Sequence, residues 1–213
     1  MGPHSSFHNM QEQAHELAYK LACEQLGSKD IEEICGKTGA QRMDSNKITI
    51  EYLNQPYLIT LPNSGISLKD SKEEVPLKDK ILILHYLTLA KGTPATNRLI
   101  TFKQLPGGAS YFPAFSQRAI KPLLNHFGKE PELLTDAAAK LGGYKANYGD
   151  VAITINAFPR VPITFALWRG DDEFPPRGGI MFDASISAYL STEDITVLCE
   201  TIIWRLVKSL RGL

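Results

Sequence analysis

Cysteine is scarce in this chain. Three occur in 213 residues, at positions 23, 35 and 199, and no two of them form a C-x-x-C pair. That argues against a disulfide framework, and against a four-cysteine zinc site or iron–sulfur cluster built by this chain alone. A surplus of one charge is missing too. The 23 Lys and Arg balance the 23 Asp and Glu, so no overall field draws the protein to nucleic acid or to an anionic membrane. Long apolar runs are absent: the longest, ILILHYLTLA at 81–90, is interrupted by a histidine and is about half of the ~20 residues that span a bilayer. The amino terminus lacks a basic start followed by an apolar stretch, so no signal peptide is read there. These absences predict a cytoplasmic protein with neither a nucleic-acid nor a membrane partner. G-x-S-x-G, H-E-x-x-H, G-x-G-x-x-G and the P-loop are missing as well, which leaves the common hydrolase, zinc-protease, dinucleotide and nucleotide routes without support.

What is present is a globular chain. Apolar residues make up 43% and charged residues 22%, enough to build a core. Ala14, Leu17, Ala18, Leu21 and Ala22 recur at helical spacing, which predicts a helix over 9–26 with Gly27 as its stop. Residues 28–35 read as a short strand or turn. KITIEYL and YLITL alternate as a hairpin over 47–61, turning at Asn54-Gln55-Pro56, and the charged stretch after it reads as loop. Residues 76–90 are apolar nearly all round, the pattern of a buried central helix, with Pro76 in its first turn and Gly92 beyond its end. Short helical pieces follow at 114–121 and 122–127, separated by Pro122, and another helix at 131–141. Three strand-like segments, DVAITINAF, VPITFALWRG and GGIMFDASI, precede a long helix over 192–210, which opens on Ser191 and Asp194 as a capping box. The class is α+β: an antiparallel sheet packed by helices, with a buried central helix and a long C-terminal helix. No linker is visible, so residues 1–213 read as a single domain, with 76–143 as the one stretch that could stand as a helical subdomain.

The densest chemistry lies in WRGDDEFPP at 168–176. Asp171 and Asp172 before proline suit a turn, because short acceptors bond the local backbone. Three adjacent carboxylates, Asp171, Asp172 and Glu173, nevertheless repel unless Arg169, Arg177 or a cation stands close. Trp168 and Phe174 add an apolar wall, so the segment reads either as a turn or as a ligand mouth. Asp183 could return beside Trp168 or Arg169 across the hairpin. His85 sits among apolar helical neighbours, either as a core histidine or as an axial ligand or proton-handling residue. Gly107 and Gly108 could offer N–H groups to an anion ahead of a helix, and Arg118 could add a charge contact or an ion pair. His126 is read as a surface contact at a helix end, and His4, His8 and His15 as solvated.

The segments LHYL at 84–87, FKQLPGG at 102–108, AFSQRAIKPLL at 114–124, LGG at 141–143, WRGDDEFPP and MFDASISAYLSTED at 181–194 occur in that order. Together they resemble a domain-of-unknown-function family of anaerobic bacteria and archaea. The resemblance spans about residues 10 to 210, and WRGDDEFPP is its most specific part. Some relatives carry an added N-terminal iron–sulfur domain, whose cysteines are not among the three of this sequence. The resemblance implies a link to redox or corrinoid chemistry, with a corrinoid or haem as the cofactor to look for and a redox or corrinoid protein as the partner. Two functions follow. The first is a non-enzymatic cofactor-binding or accessory protein, with a ligand held between the central helix and the acidic hairpin by His85, Gly107, Gly108, Arg118, Trp168, Asp171, Asp172, Glu173 and Phe174. The alternative is a small carboxylate-based enzyme, with or without a divalent cation.

Overall fold

The structure is a computed structural model that describes residues 3–63 and 65–210, with side chains from residue 13 onward. His4 and His8 lie outside the described side chains. The chain divides into two compact units. One is Met1–Ile50 with Gln55–Gly92, the other Glu51–Asn54 with Thr93–Leu213. The division after Gly92 falls inside the 76–143 stretch. The α+β class is as expected, but the described strands form two antiparallel sheets where the sequence suggested one.

The first unit holds helices α1 (Pro3–Gly27) and α2 (Ile31–Thr38). Its strands run in the order β1 (Gln41–Arg42), β2 (Lys47–Tyr52, whose last two residues count with the second unit), β3 (Gln55–Thr60) and β4 (Gly65–Leu68), followed by helix α3 (Leu77–Leu89). α1 and α2 pack on α3. Leu82, Ile83, Leu84, Tyr86 and Leu87 are each no more than 2% exposed, so the expected buried helix is there, and each such burial is worth about 1.5–3 kcal/mol in transfer. The Tyr86 hydroxyl donates to Thr38 O at 2.7 Å and ties α3 to the end of α2.

One local expectation fails here and another is trimmed. Residues 31–38 are helical, because Asp30 caps the segment: its Oδ1 accepts the Glu33 N–H at 3.0 Å, and Gly39 ends the helix in the left-handed region at φ 78°. Strand β4 takes in only the first two residues of the charged stretch, Ser67 and Leu68, because Leu58 and Tyr57 offer them backbone partners; the rest, 69–76, is turn and loop as expected.

The second unit is built on the strand order β5-β9-β8-β7-β6. The strands are β5 (Leu99–Thr101), β6 (Tyr144–Lys145), β7 (Val151–Phe158), β8 (Val161–Trp168) and β9 (Arg177–Asp183). The pairs Ile153↔Phe165 and Phe165↔Ile180 put one row of side chains on one face, and Ile155↔Ile163 and Ile163↔Phe182 put a second row beside it. All six are at most 3% exposed. Helices cover this face: α4 (Gly108–Phe115), α5 (Lys121–Phe127), α6 (Glu132–Ala139) and α7 (Thr192–Leu210). A Cβ on Gly178 would stand 3.3 Å from Leu124 of α5, so the glycine lets this helix lie close on β9.

α7 starts as read from the sequence. The Asp194 N–H donates to Ser191 Oγ at 3.1 Å, and the Ser191 hydroxyl returns to Asp194 Oδ2 at 2.6 Å. Pro122 does not end the helical run. A π turn at Ser116–Ile120, in which the Lys121 N–H reaches back to Ser116 O, widens the helix ahead of it. The carbonyl that the proline ring would strike is thereby moved aside. Among the described residues, no helix is long and apolar enough to cross a membrane.

Candidate functional site

Trp168 pairs with Arg177 at the open end of the β8–β9 ladder, so residues 169–176 form the connecting turn. Asp171 builds it. Its Oδ1 accepts the Glu173 N–H at 2.9 Å and the Phe174 N–H at 2.7 Å, and its own N–H donates to Phe174 O at 2.9 Å. The base of the turn is tied down as well: the Arg169 N–H donates to Asp150 Oδ2 at 2.7 Å, and the Arg169 guanidinium pairs with Glu132 of α6. Charge repulsion within the run is thus answered in part by the backbone, since Asp171 faces two N–H groups, and in part by water, since Asp172 and Glu173 are exposed. Arg169, a candidate counter-charge for the three acids, is engaged by Glu132. Among the described residues, no three His, Cys, Asp or Glu side chains converge to hold a metal ion.

The turn presents Phe174 outward, 64% exposed. Two depressions flank it. One, of about 290 Å³, is lined by Arg169, Asp171, Phe174, Pro175 and Arg177. The other, of about 370 Å³, shares four of those residues and adds Lys129 with Gly128, Gly170 and Pro176. Phe174 and Pro175 form the ridge between them, with Arg177 on one side and Lys129 on the other. A Cβ on Gly170 would stand 2.8 Å from Pro176 and 2.9 Å from Phe174 O, so the fold-back that makes the ridge needs a glycine there. Trp168 supports the base: its indole lies against Gly149 and Gly179, 3.2 Å from where either would carry a Cβ.

Asp183 does not return to this turn. In the ladder, Phe182 faces Ile163 while Arg177 faces Trp168. Asp183 therefore stands about 20 Å along the strand from the turn, at ~3.4 Å per residue. It is 5% exposed. Its Oδ1 accepts the Thr96 N–H and hydroxyl, both at 3.0 Å, and the Ser185 N–H at 2.9 Å, while Oδ2 accepts the Asn97 N–H at 2.7 Å. Burial alone raises its pKa, but the backbone and hydroxyl donors of Thr96 and Ser185 outweigh burial and bring it down to about 2. The carboxylate clasps the loop that leads into β5.

The remaining sequence candidates are scattered. Gly107 takes φ 70° ahead of α4. Gly108 is a packing residue: its N–H already donates to Leu105 O at 2.8 Å, and a Cβ would fall 2.0 Å from Phe102 O. Arg118 pairs with Glu200 of α7, with Nε at 3.2 Å and Nη2 at 2.7 Å from Oε2. None of these three lines either depression. His126 meets the Trp204 ring edge-on at 5.7 Å, and His15 is half-buried. His85 lies half-buried on α3 in the first unit, whereas the turn belongs to the second. Burial raises the Cys35 thiol and pushes Cys199, fully enclosed in α7, far up, so Cys199 is a packing residue.

The sequence reading missed Lys129 as a neighbour of the turn, because the α5–α6 loop reaches it through the fold and no local pattern marks it. It also missed Glu132 and Asp150 as the partners of Arg169. The only local signal would have been the unexplained single charges around Pro131 and Gly149.

A family model described as domain of unknown function (DUF3786) matches residues 30–205. No curated protein and no solved structure matches the chain.

Proposed function

The chain belongs to the DUF3786 family of domains of unknown function, and we propose that it works as a non-enzymatic binding protein. In this reading it is an accessory protein of anaerobic redox or corrinoid metabolism, and it recognises a cofactor, or the exposed edge of one carried by a partner, through the β8–β9 turn. One observation carries the reading: a large apolar side chain, Phe174, is held 64% exposed on a turn fixed by Asp171, between two depressions that contain Arg169, Arg177 and Lys129. Ordering eight loop residues costs conformational entropy, and Phe174 gives back little burial in return. Aromatic and arginine side chains are the ones that dominate binding surfaces.

The chemistry suits a planar, partly apolar ligand with acidic substituents. Phe174 and the prolines supply flat apolar contact, and Arg177 and Lys129 supply donors for carboxylates. The depressions, at about 290 and 370 Å³, are at the small end of the ~300–1,000 Å³ range of ligand sites. That size favours gripping an edge over enclosing a whole tetrapyrrole. The link to corrinoid or haem rests on the family resemblance and makes these the first ligands to try.

The test is a visible absorption spectrum and metal analysis of protein purified without oxygen, followed by titration with haem and with a cobamide. Binding is expected for wild type and is expected to fall at least about tenfold in Phe174→Ser, a loss of ~1.4 kcal/mol or more, with the melting temperature unchanged. Equal binding by both proteins would overturn the reading. A ligand-shifted band lost in His85→Ala and kept in Phe174→Ser would move the site to α3.

A further inference from the structure

A second concave site lies in the same unit and has the opposite chemistry. It is a pocket of about 250 Å³ lined by Glu51, Asn54, Leu141, Gly142, Asn156, Phe158 and Pro159. Its walls are held by backbone geometry. Leu53 and Asn54 both take left-handed φ, 50° and 61°, the arrangement of a tight two-residue hairpin turn. The Leu53 N–H donates to Ala157 O at 3.0 Å, and Tyr52 stacks on Phe158 with ring centroids 4.9 Å apart. Gly142, at φ 67°, lies so close to Asn54 that a Cβ would stand 2.8 Å from its Cγ. On the other wall the β7–β8 register shifts between Asn156 and Phe158, a bulge of the kind that re-aims a side chain.

These devices bring one carboxylate and two carboxamides to one rim. None of the three side chains has an internal hydrogen bond or ion pair among the described residues. The two left-handed residues are what the two-residue turn requires, but the bulge in β7 and the required glycine at Gly142 lie outside that turn and shape the wall that faces it, and bulges gather next to binding sites. Leu141, Phe158 and Pro159 provide the apolar lining below them.

We infer that this pocket binds an ammonium or guanidinium group carried on a short methylene chain. Glu51 is the only formal charge among the lining residues, and it is negative. Asn54 and Asn156 add carbonyl acceptors, so a cation with several N–H donors is matched and an anion is not. At about 30 Å³ per water, the pocket holds roughly eight water-sized groups, the size of a diamine, agmatine or the end of an arginine side chain. The same chemistry can come from a free amine or from an arginine on another protein, and the two are separated by the probes below. The site stands apart from the β8–β9 turn, and the inference does not depend on the role proposed for that turn.

The experiment follows the side-chain amide signals of Asn54 and Asn156 by nitrogen-edited NMR of the full chain. Three probes are titrated: agmatine, a blocked glycine-arginine-glycine peptide, and pentanamide as the neutral control. Agmatine is expected to move both signals, and Glu51→Gln is expected to weaken that response several-fold while leaving the rest of the spectrum unchanged. A stronger response to the peptide than to agmatine supports the pocket as a seat for a partner's arginine, and a weaker one supports a free amine. No shift with either cation, an equal shift with pentanamide, or an undiminished response in Glu51→Gln would overturn the inference.

Discussion

Asp171 and Asp183 stand at opposite ends of the same β-hairpin and show what burial does to one functional group. Asp183 is almost fully enclosed and accepts four hydrogen bonds, three of them from backbone N–H groups. Asp171 is exposed and accepts two, both from its own turn. The first fixes a loop from a distant part of the chain. The second fixes eight residues locally and leaves Phe174, Asp172 and Glu173 facing water. One end of the hairpin contributes to stability, and the other is free to contribute to recognition.

The largest effect should come from breaking the enclosed end. Asp183→Ala leaves the N–H groups of Thr96, Asn97 and Ser185 without their acceptor. At about 1–3 kcal/mol for each buried unsatisfied donor, the variant should lose more than about 3 kcal/mol in urea unfolding. A loss under ~1 kcal/mol would mean that water replaces the carboxylate. The acid limb of the stability curve reports the same contact. The folded pKa, about 2, lies below the unfolded value of ~3.9. The contribution, on the order of 2–3 kcal/mol, is therefore fully present above the unfolded value and is lost as the pH falls through the folded one. Asp183→Ala should flatten the stability curve between those two values and leave it parallel to wild type at neutral pH.

The same contrast explains what could be read in advance. α3 and α7 were legible because a helix writes its burial and its caps into a local period: Leu82 to Leu87, and Ser191 with Asp194. The β7 and β8 strands were legible because they are dense in β-branched and aromatic residues, and β9 by its short apolar run Ile180-Met181-Phe182. α2 was lost because Asp30 serves equally well in a turn or as a cap. Of the site, WRGDDEFPP was visible as a cluster, but the division of labour inside it was not. Asp171 as turn former, Arg169 bound to Glu132, and Lys129 arriving from another loop are facts of the fold. Asp183 was misplaced because strand register, which no local pattern encodes, decides whether a residue seven positions past the turn meets it or lies at the far end.

Breaking the exposed end should cost less. Asp171→Ala removes two hydrogen bonds from an exposed turn, at about 0.5–1.5 kcal/mol each at most, and the total should be near 1 kcal/mol because water replaces the acceptor. The larger change should be in the turn itself, with faster amide hydrogen exchange at Glu173 and Phe174 and unchanged exchange in β8. Exchange as slow as in wild type would assign the turn's rigidity to Pro175, Pro176 and the Arg169 contacts instead.

The smallest effect is expected from the two acids that neither turn former nor ladder uses. Asp172→Asn and Glu173→Gln keep shape and remove charge. Both side chains are exposed and neither lines the depressions beside Phe174, so each variant should stay within about 0.5 kcal/mol of wild type. The double variant should sit level or slightly higher, because like charges are separated. Their place is the rim of the surface, and rim charges act on encounter more than on the formed complex. Association of the species that binds the turn should change in rate and in salt dependence in these variants, while its dissociation rate stays that of wild type. Phe174→Ser should do the reverse, with faster dissociation and the same salt dependence. If Asp172→Asn or Glu173→Gln speeds dissociation as much as Phe174→Ser does, the acids belong to the contact itself, and the division between a stabilising end and a recognising end must be redrawn to include them.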